Sequence, residues 1–200
     1  LNSLNSFSMG FLITSNLSME IYLGTKVIIK QRIRYFFVLL RRKLNNFTRM
    51  EKLFLLDAYA LIYRAYYAFI KNPRINSKGF NTSAIMGFVN TLEDVLKKEN
   101  PTHIGIAFDP AGPTFRHEAF EQYKAQREET PEAIRLSVPI IKDIIRAYRI
   151  PILEVSGYEA DDVIGTLATE AGKRGITTYM MTPDKDYGQL VSENVFMYRP

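Results

Sequence analysis

Seven acidic side chains stand just beyond short apolar runs. Asp57 follows Leu53-Phe54-Leu55-Leu56, and Asp109 follows the run ending in Ile106-Ala107-Phe108. Glu159, Asp161 and Asp162 lie one short turn past Ile152-Leu153, and Asp184 and Asp186 follow Met180-Met181. Carboxylates gathered at one edge repel one another unless cations neutralise them. With oxygen ligands, no cysteine and no well-placed histidine, the cations expected are Mg²⁺ or Mn²⁺ rather than Zn²⁺. The stretch from Thr114 to Arg127 supplies the opposite sign. Lys124 and Arg127 share a face if it is helical, and Tyr123 beside them offers a ring for base stacking. A basic face over an acid–metal group suits a phosphodiester, because cations hold phosphates while metals activate water. Each group also has a plainer reading. Asp57 and Asp109 could be helix caps, Asp161 and Asp162 dipole complements, Asp184 and Asp186 turn residues, and Lys124 and Arg127 a solvated helix face. Arg64 is equally ambiguous. The acids falling together at one sheet edge is what favours a site.

The elements that must position these residues alternate. Apolar runs at 52–56, 103–108, 151–155 and 176–181, with a further one at 195–198, read as buried strands. Between them, helical spacing covers 58–70, 82–100, 131–148 and 159–173, with Thr82 or Ser83 and Pro131 as start signals. Residues 72–79 carry Pro and Gly and read as a loop, and 110–130 is long and polar. Tyr63, Tyr66 and Tyr67 read as core packing. Strand–helix alternation implies an α/β fold in three layers, a mostly parallel central sheet with helices on both faces. Ligands of such sheets bind beyond the carboxyl ends of the strands, where the acids are. On an ideal helix Glu159 and Asp162 share a face and Asp161 points about 100° from Asp162, so spacing alone does not bring all three together.

The 200 residues carry 26 Lys+Arg against 21 Asp+Glu, a net charge of +5. That charge is not uniform. Residues 1–49 hold eight basic residues and one acid, and the rest of the chain is at −2. The absence of cysteine excludes a disulfide scaffold, a thiolate zinc site and a cysteine nucleophile. The apolar run 35–40 is far shorter than the ~20 residues of a spanning helix and is followed by Arg41-Arg42-Lys43 rather than a small-residue cleavage site. No membrane partner is expected, and cytoplasmic residence is. Residues 1–49 are read as a non-native or disordered basic extension, and residues 50–200 as the folding part.

Several strings in that part carry a family resemblance. They are Phe54-Leu55-Leu56-Asp57-Ala58-Tyr59, Ala107-Phe108-Asp109, Phe115-Arg116-His117-Glu118, Tyr123-Lys124-Ala125-Gln126-Arg127, Gly157-Tyr158-Glu159-Ala160-Asp161-Asp162 and Thr182-Pro183-Asp184-Lys185-Asp186. In order and spacing they resemble the N-terminal 5′-3′ exonuclease domain of bacterial DNA polymerase I, of the 5′-nuclease or flap endonuclease superfamily. The resemblance implies a PIN-like fold with a helical arch and a structure-specific nuclease that removes 5′ flaps and RNA primers in replication and repair. It implies two Mg²⁺ (or Mn²⁺) ions held by Asp57, Asp109, Glu159, Asp161, Asp162, Asp184 and Asp186, some through water. Lys124 and Arg127 would engage the scissile phosphate from the arch, Tyr123 would lie near the terminal base, and Arg64 and Arg116 near phosphate. Partners would be DNA with a 5′ flap, nick or RNA primer, and a covalently linked polymerase domain. The family's helix-hairpin-helix and further aspartates have no counterpart here, so weak DNA binding and poor or no cleavage are expected of residues 50–200 alone.

Two rivals differ in class. A Mg²⁺-dependent small-molecule phosphohydrolase would want a second Asp two residues after Asp57, where Tyr59 stands. A non-catalytic DNA-binding fragment would share every motif and show no cleavage to lose on Asp162→Ala. A PIN-type ribonuclease is a relative with a similar acidic site, and the segment Tyr123 to Arg127 favours the 5′-nuclease over it.

Overall fold

The computed structural model describes residues 51–199 apart from Glu121, Lys124, Ala125, Arg127 and Glu128. The reading of residues 1–49 as an extension, and the placement of Lys124 and Arg127 on a helical arch, lie outside the described residues.

Five strands form one sheet, β1 (Lys52–Asp57), β2 (His103–Ala107), β3 (Ile152–Leu153), β4 (Thr177–Met181) and β5 (Val195–Tyr198). All four pairings are parallel, in the order β3-β2-β1-β4-β5. β1 is central because it is apolar on both faces, and Leu53, Phe54, Leu55 and Leu56 are all fully buried. Phe54 and Leu56 pack with α1 (Ala58–Ala68), α2 (Ser83–Asp94) and α4 (Glu132–Ala147) around Ile62, Phe88, Ile141 and Ile145. α5 (Ala160–Lys173) lies against β4, β1 and β2 and buries Val163, Ile164, Leu167, Ala168 and Ala171. The result is the expected three-layer α/β fold.

α1 and α2 approach closely at Gly87, where a Cβ would stand 2.6 Å from the Ala65 Cβ. α2 runs on as a π-turn, Val95–Glu99, and ends at Asn100 in the left-handed region, φ 44°. Neither expected cap of α2 acts as one. The Thr82 hydroxyl donates to the Arg74 carbonyl and Ser83 Oγ accepts the Arg74 N–H, so both staple the preceding loop. Between β2 and α4 the described part of the polar stretch holds a short helix, α3 (Phe115–Ala119). Of the three tyrosines read as core, Tyr63 and Tyr66 pack against it, whereas Tyr67 is 53% exposed.

Candidate functional site at the carboxyl edge of the sheet

Each acid enters from its own element. Asp57 ends β1 and caps α1, its Oδ1 accepting the Ala60 N–H at 3.1 Å. Its other oxygen accepts the Thr182 hydroxyl at 3.2 Å. Thr182, fully buried at the end of β4, also accepts the Asp184 N–H, so one hydroxyl ties the β1 and β4 loops together. Asp109, past β2, accepts the Ala160 N–H at 2.7 Å and so holds the first residue of α5. Gly157, at φ 83°, turns the chain into that helix. Glu159 and Asp162 then form a reciprocal capping box. Asp184 caps the 3-10 helix Lys185–Leu190 by accepting the Asp186 N–H.

The electrostatics record uncompensated negative charge. Burial lifts the Asp57 carboxyl from 3.8 to about 6, against the Ala60 N–H bond, and the Asp109 and Asp161 charges add to the rise. Asp161 is also raised, by burial and then by the charge of Asp162, against the pull of Arg116. A basic side chain answers part of this. Arg116 on α3 grips Asp162 through two bonds of 2.6 and 2.8 Å, with Glu159 Oε2 at 3.5 Å and Asp161 Oδ1 at 3.8 Å. Tyr123 donates to Glu159 Oε2 at 3.1 Å, and its ring meets His117 edge-on. His117 in turn forms a capping box with Thr114. The Phe115 N–H donates to the Gly157 carbonyl, and the Phe115 ring lies on Tyr158. Arg116, Phe115 and Tyr123 thus clasp the described part of this segment to the start of α5.

The expected residues are therefore brought together unevenly. Asp57 and Asp184 are tied together through Thr182, and Asp109 reaches Ala160, the residue before Asp161; the charges of all four bear on the Tyr187 hydroxyl. Glu159 and Asp162 join them through Arg116. Asp186 is exposed on the 3-10 helix, and Arg64 is exposed on α1, about two turns (~10 Å) along from Asp57 on the same face. Among the described residues no group of three carboxylates or imidazoles is gathered tightly enough to enclose a metal ion. The reason is local: Asp162 is held by Arg116 and the Glu159 N–H, Asp109 by Ala160, and Asp57 by Ala60 and Thr182. Two residues escaped the sequence reading. Thr182 could have been suspected as a hydroxyl directly after a buried strand. Tyr187, 3% exposed, follows Asp186 directly, and its oxygen has no hydrogen-bond partner. Burial first, then the four aspartates, push its hydroxyl far up, so it remains protonated.

An all-oxygen donor set, carboxyls raised by burial and mutual repulsion, and an orphaned hydroxyl beside them fit a hard divalent cation. Among the described residues no helix is long and apolar enough to cross a membrane.

Known proteins agree with this architecture. The chain is 43% identical over 146 residues to DNA polymerase I of Bacillus caldotenax, covering 72% of the chain and 16% of that protein. It is 41% identical over 151 residues to the 5′-3′ exonuclease of Aquifex aeolicus, covering 76% and 52%. The chain therefore spans between about a sixth and about half of the length of these relatives. Among solved structures, T5 5′-exonuclease with bound zinc superposes with a TM-score of 0.55 at 20% identity, over 74% of this chain and 55% of that one. That likeness is one of fold. A model of the 5′-3′ exonuclease N-terminal, resolvase-like domain matches residues 52–200, the whole of the sheet and its acidic edge, and the chain belongs to that family.

Proposed function

We propose that the chain is a divalent-metal-dependent, structure-specific 5′-3′ exonuclease and flap endonuclease that hydrolyses phosphodiesters of DNA or RNA primers in replication and repair. The observation that carries this is the acidic edge itself. Carboxylates from the ends of β1, β2 and β4 and from the start of α5 meet in a setting that lifts Asp57 to about 6. The Aquifex relative bears the name 5′-3′ exonuclease, which supports the same reading.

Asp57, Asp109, Glu159, Asp161, Asp162, Asp184 and Asp186 would hold two Mg²⁺ (or Mn²⁺) ions. Bound there, the ions supply an activated water and neutralise the charge that builds on the phosphate. The chain's own groups do the rest. The carboxyls of Asp57 and Asp161, raised in the free protein by burial and neighbouring charge, would be drawn back down by a bound cation. Arg116 shares its charge between Asp162 and Glu159 and fixes where α3 sits. Lys124 and Arg127 clamp the phosphate, Arg64 meets the strand two turns from Asp57, and Tyr123 lies beside the terminal base. The partner is duplex DNA bearing a 5′ flap, nick or RNA primer, with a polymerase domain covalently linked as in the relatives of that name.

A 5′-labelled flap duplex with the chain in excess tests this. Slow cutting near the flap junction is expected in Mg²⁺, none in EDTA, and at least a hundredfold loss for Asp161→Asn, the scale of removing one preorganised charged group. Cutting that persists in EDTA, or that Asp161→Asn leaves untouched, overturns the reading.

A further inference from the structure

Two hydroxyls among the described residues are buried without any partner, those of Tyr158 and Tyr187. They differ in surroundings. The Tyr158 ring rests on Phe115. Tyr187 sits in the first turn of the 3-10 helix, 3% exposed, where the charges of Asp57, Asp161, Asp184 and Asp109 reach its oxygen. Those four acids arrive from four separate segments of the chain, and all are acceptors.

Leaving a buried hydroxyl unbonded is unfavourable, and phenylalanine would fill the same space without that cost. Thr182, the neighbouring buried hydroxyl, is already committed, donating to Asp57 and accepting from the Asp184 N–H. A lysine or arginine at position 187 would also donate, but its charge would replace the cation. A phenol brings a donor and no charge. A water needs two to four polar partners to be held in a buried site, and an unpartnered hydroxyl in the field of four carboxylates is one such partner.

We propose that Tyr187 is a positioning residue whose O–H donates to a water lodged among Asp57, Asp109, Asp161 and Asp184 once a divalent cation fills the site. This rests on the reading of those acids as a cation site. The hydroxyl then has opposite effects in the two states. Without a cation it destabilises the fold, and with one it adds a bond.

The test uses the whole 200-residue chain, with Mn²⁺ binding followed by calorimetry and the thermal midpoint measured in EDTA and in Mn²⁺. For Tyr187→Phe we expect Mn²⁺ affinity to fall roughly fivefold, the worth of one hydrogen bond. The midpoint in EDTA is expected to be unchanged or higher, so the rise caused by Mn²⁺ shrinks. Asp161→Asn is the control and is expected to lose far more affinity. If Tyr187→Phe binds Mn²⁺ like the parent while Asp161→Asn does not, Tyr187 only packs and the proposal fails. If Tyr187→Phe lowers the midpoint in EDTA together with the affinity, its role is structural and the proposal also fails. If Asp161→Asn binds like the parent, the cation-site reading fails and takes this proposal with it.

Discussion

Replacing Arg116 by Gln removes a cation from the centre of the acidic edge. Its guanidinium holds Asp162 at 2.6 and 2.8 Å and reaches Glu159 and Asp161 at 3.5 and 3.8 Å. The side chains of Arg116 and Asp162 are 28% and 19% exposed, and that of Glu159 is 6% exposed. Removing one partner of a fully buried ion pair costs about 3–5 kcal/mol. Exposed pairs are worth about 1 kcal/mol or less, so this partly screened pair falls between, at about 2 kcal/mol. For a domain of this size that lowers the thermal midpoint by roughly 4–8 °C. Cations relieve the same repulsion, so the deficit should shrink to less than half in 10 mM-scale Mg²⁺, which stabilises by binding the folded state. Paired melts of parent and Arg116→Gln in EDTA and in Mg²⁺, followed by circular dichroism, measure both numbers. A variant within about 0.5 kcal/mol of the parent in EDTA would falsify the argument that Arg116 compensates the acids. A deficit equal in both buffers would show that Mg²⁺ does not act on these carboxylates.

Two further outcomes follow from the same edge. Asp57 titrates near 6 in the folded protein against an ordinary 3.8, so its favourable contribution is complete below about 4 and is lost as pH rises through about 6. Urea titrations in EDTA should therefore show stability falling between about pH 4 and 7, by up to about 3 kcal/mol, with a shallower slope for Asp57→Asn. A flat profile would refute the assignment. Thr182→Val keeps the shape of a fully buried side chain and leaves both Asp57 Oδ2 and the Asp184 N–H without their partner. It should cost about 1–3 kcal/mol in denaturant melts, and a change under about 0.5 kcal/mol would mean that the β1–β4 link carries no energy.

Much of the fold was legible because its signals are local. Four consecutive apolar residues in β1 bury on both faces, and each following acid marks where a strand stops. The two-residue β3 shows the limit of such reading. Five residues from Pro151 to Val155 look like a strand, but β3 is an edge, Pro151 has no N–H to give, and the ladder with β2 closes only at Ile152 and Leu153. Thr82 and Ser83 look like caps from their position alone, yet a loop carbonyl and N–H nine residues or fewer away compete for their hydroxyls. The acids of the candidate site were visible individually. Their partners were not, because those bonds cross the chain: Arg116 to Asp162 spans 46 residues, and Thr182 to Asp57 spans 125. Tyr187 was hidden for the same reason, since an aromatic residue in a turn reveals its burial only when the helix opposite it is in place.

The placement of β1 at the middle of the sheet bears on how the protein is made. The chain winds outward from β1 to β2 and β3 on one side, then returns to lay β4 and β5 on the other. The acidic edge therefore draws on both wings, and its contributors from Asp184 to Tyr187 are made after those of β1, β2 and α5. A ribosome delivering the chain from its N-terminus presents β1, α1 and α2 long before β4 exists. The nascent protein thus holds Asp57 and Asp109 before their partner loop exists, and the acid cluster is completed only once β4 and the residues after it emerge.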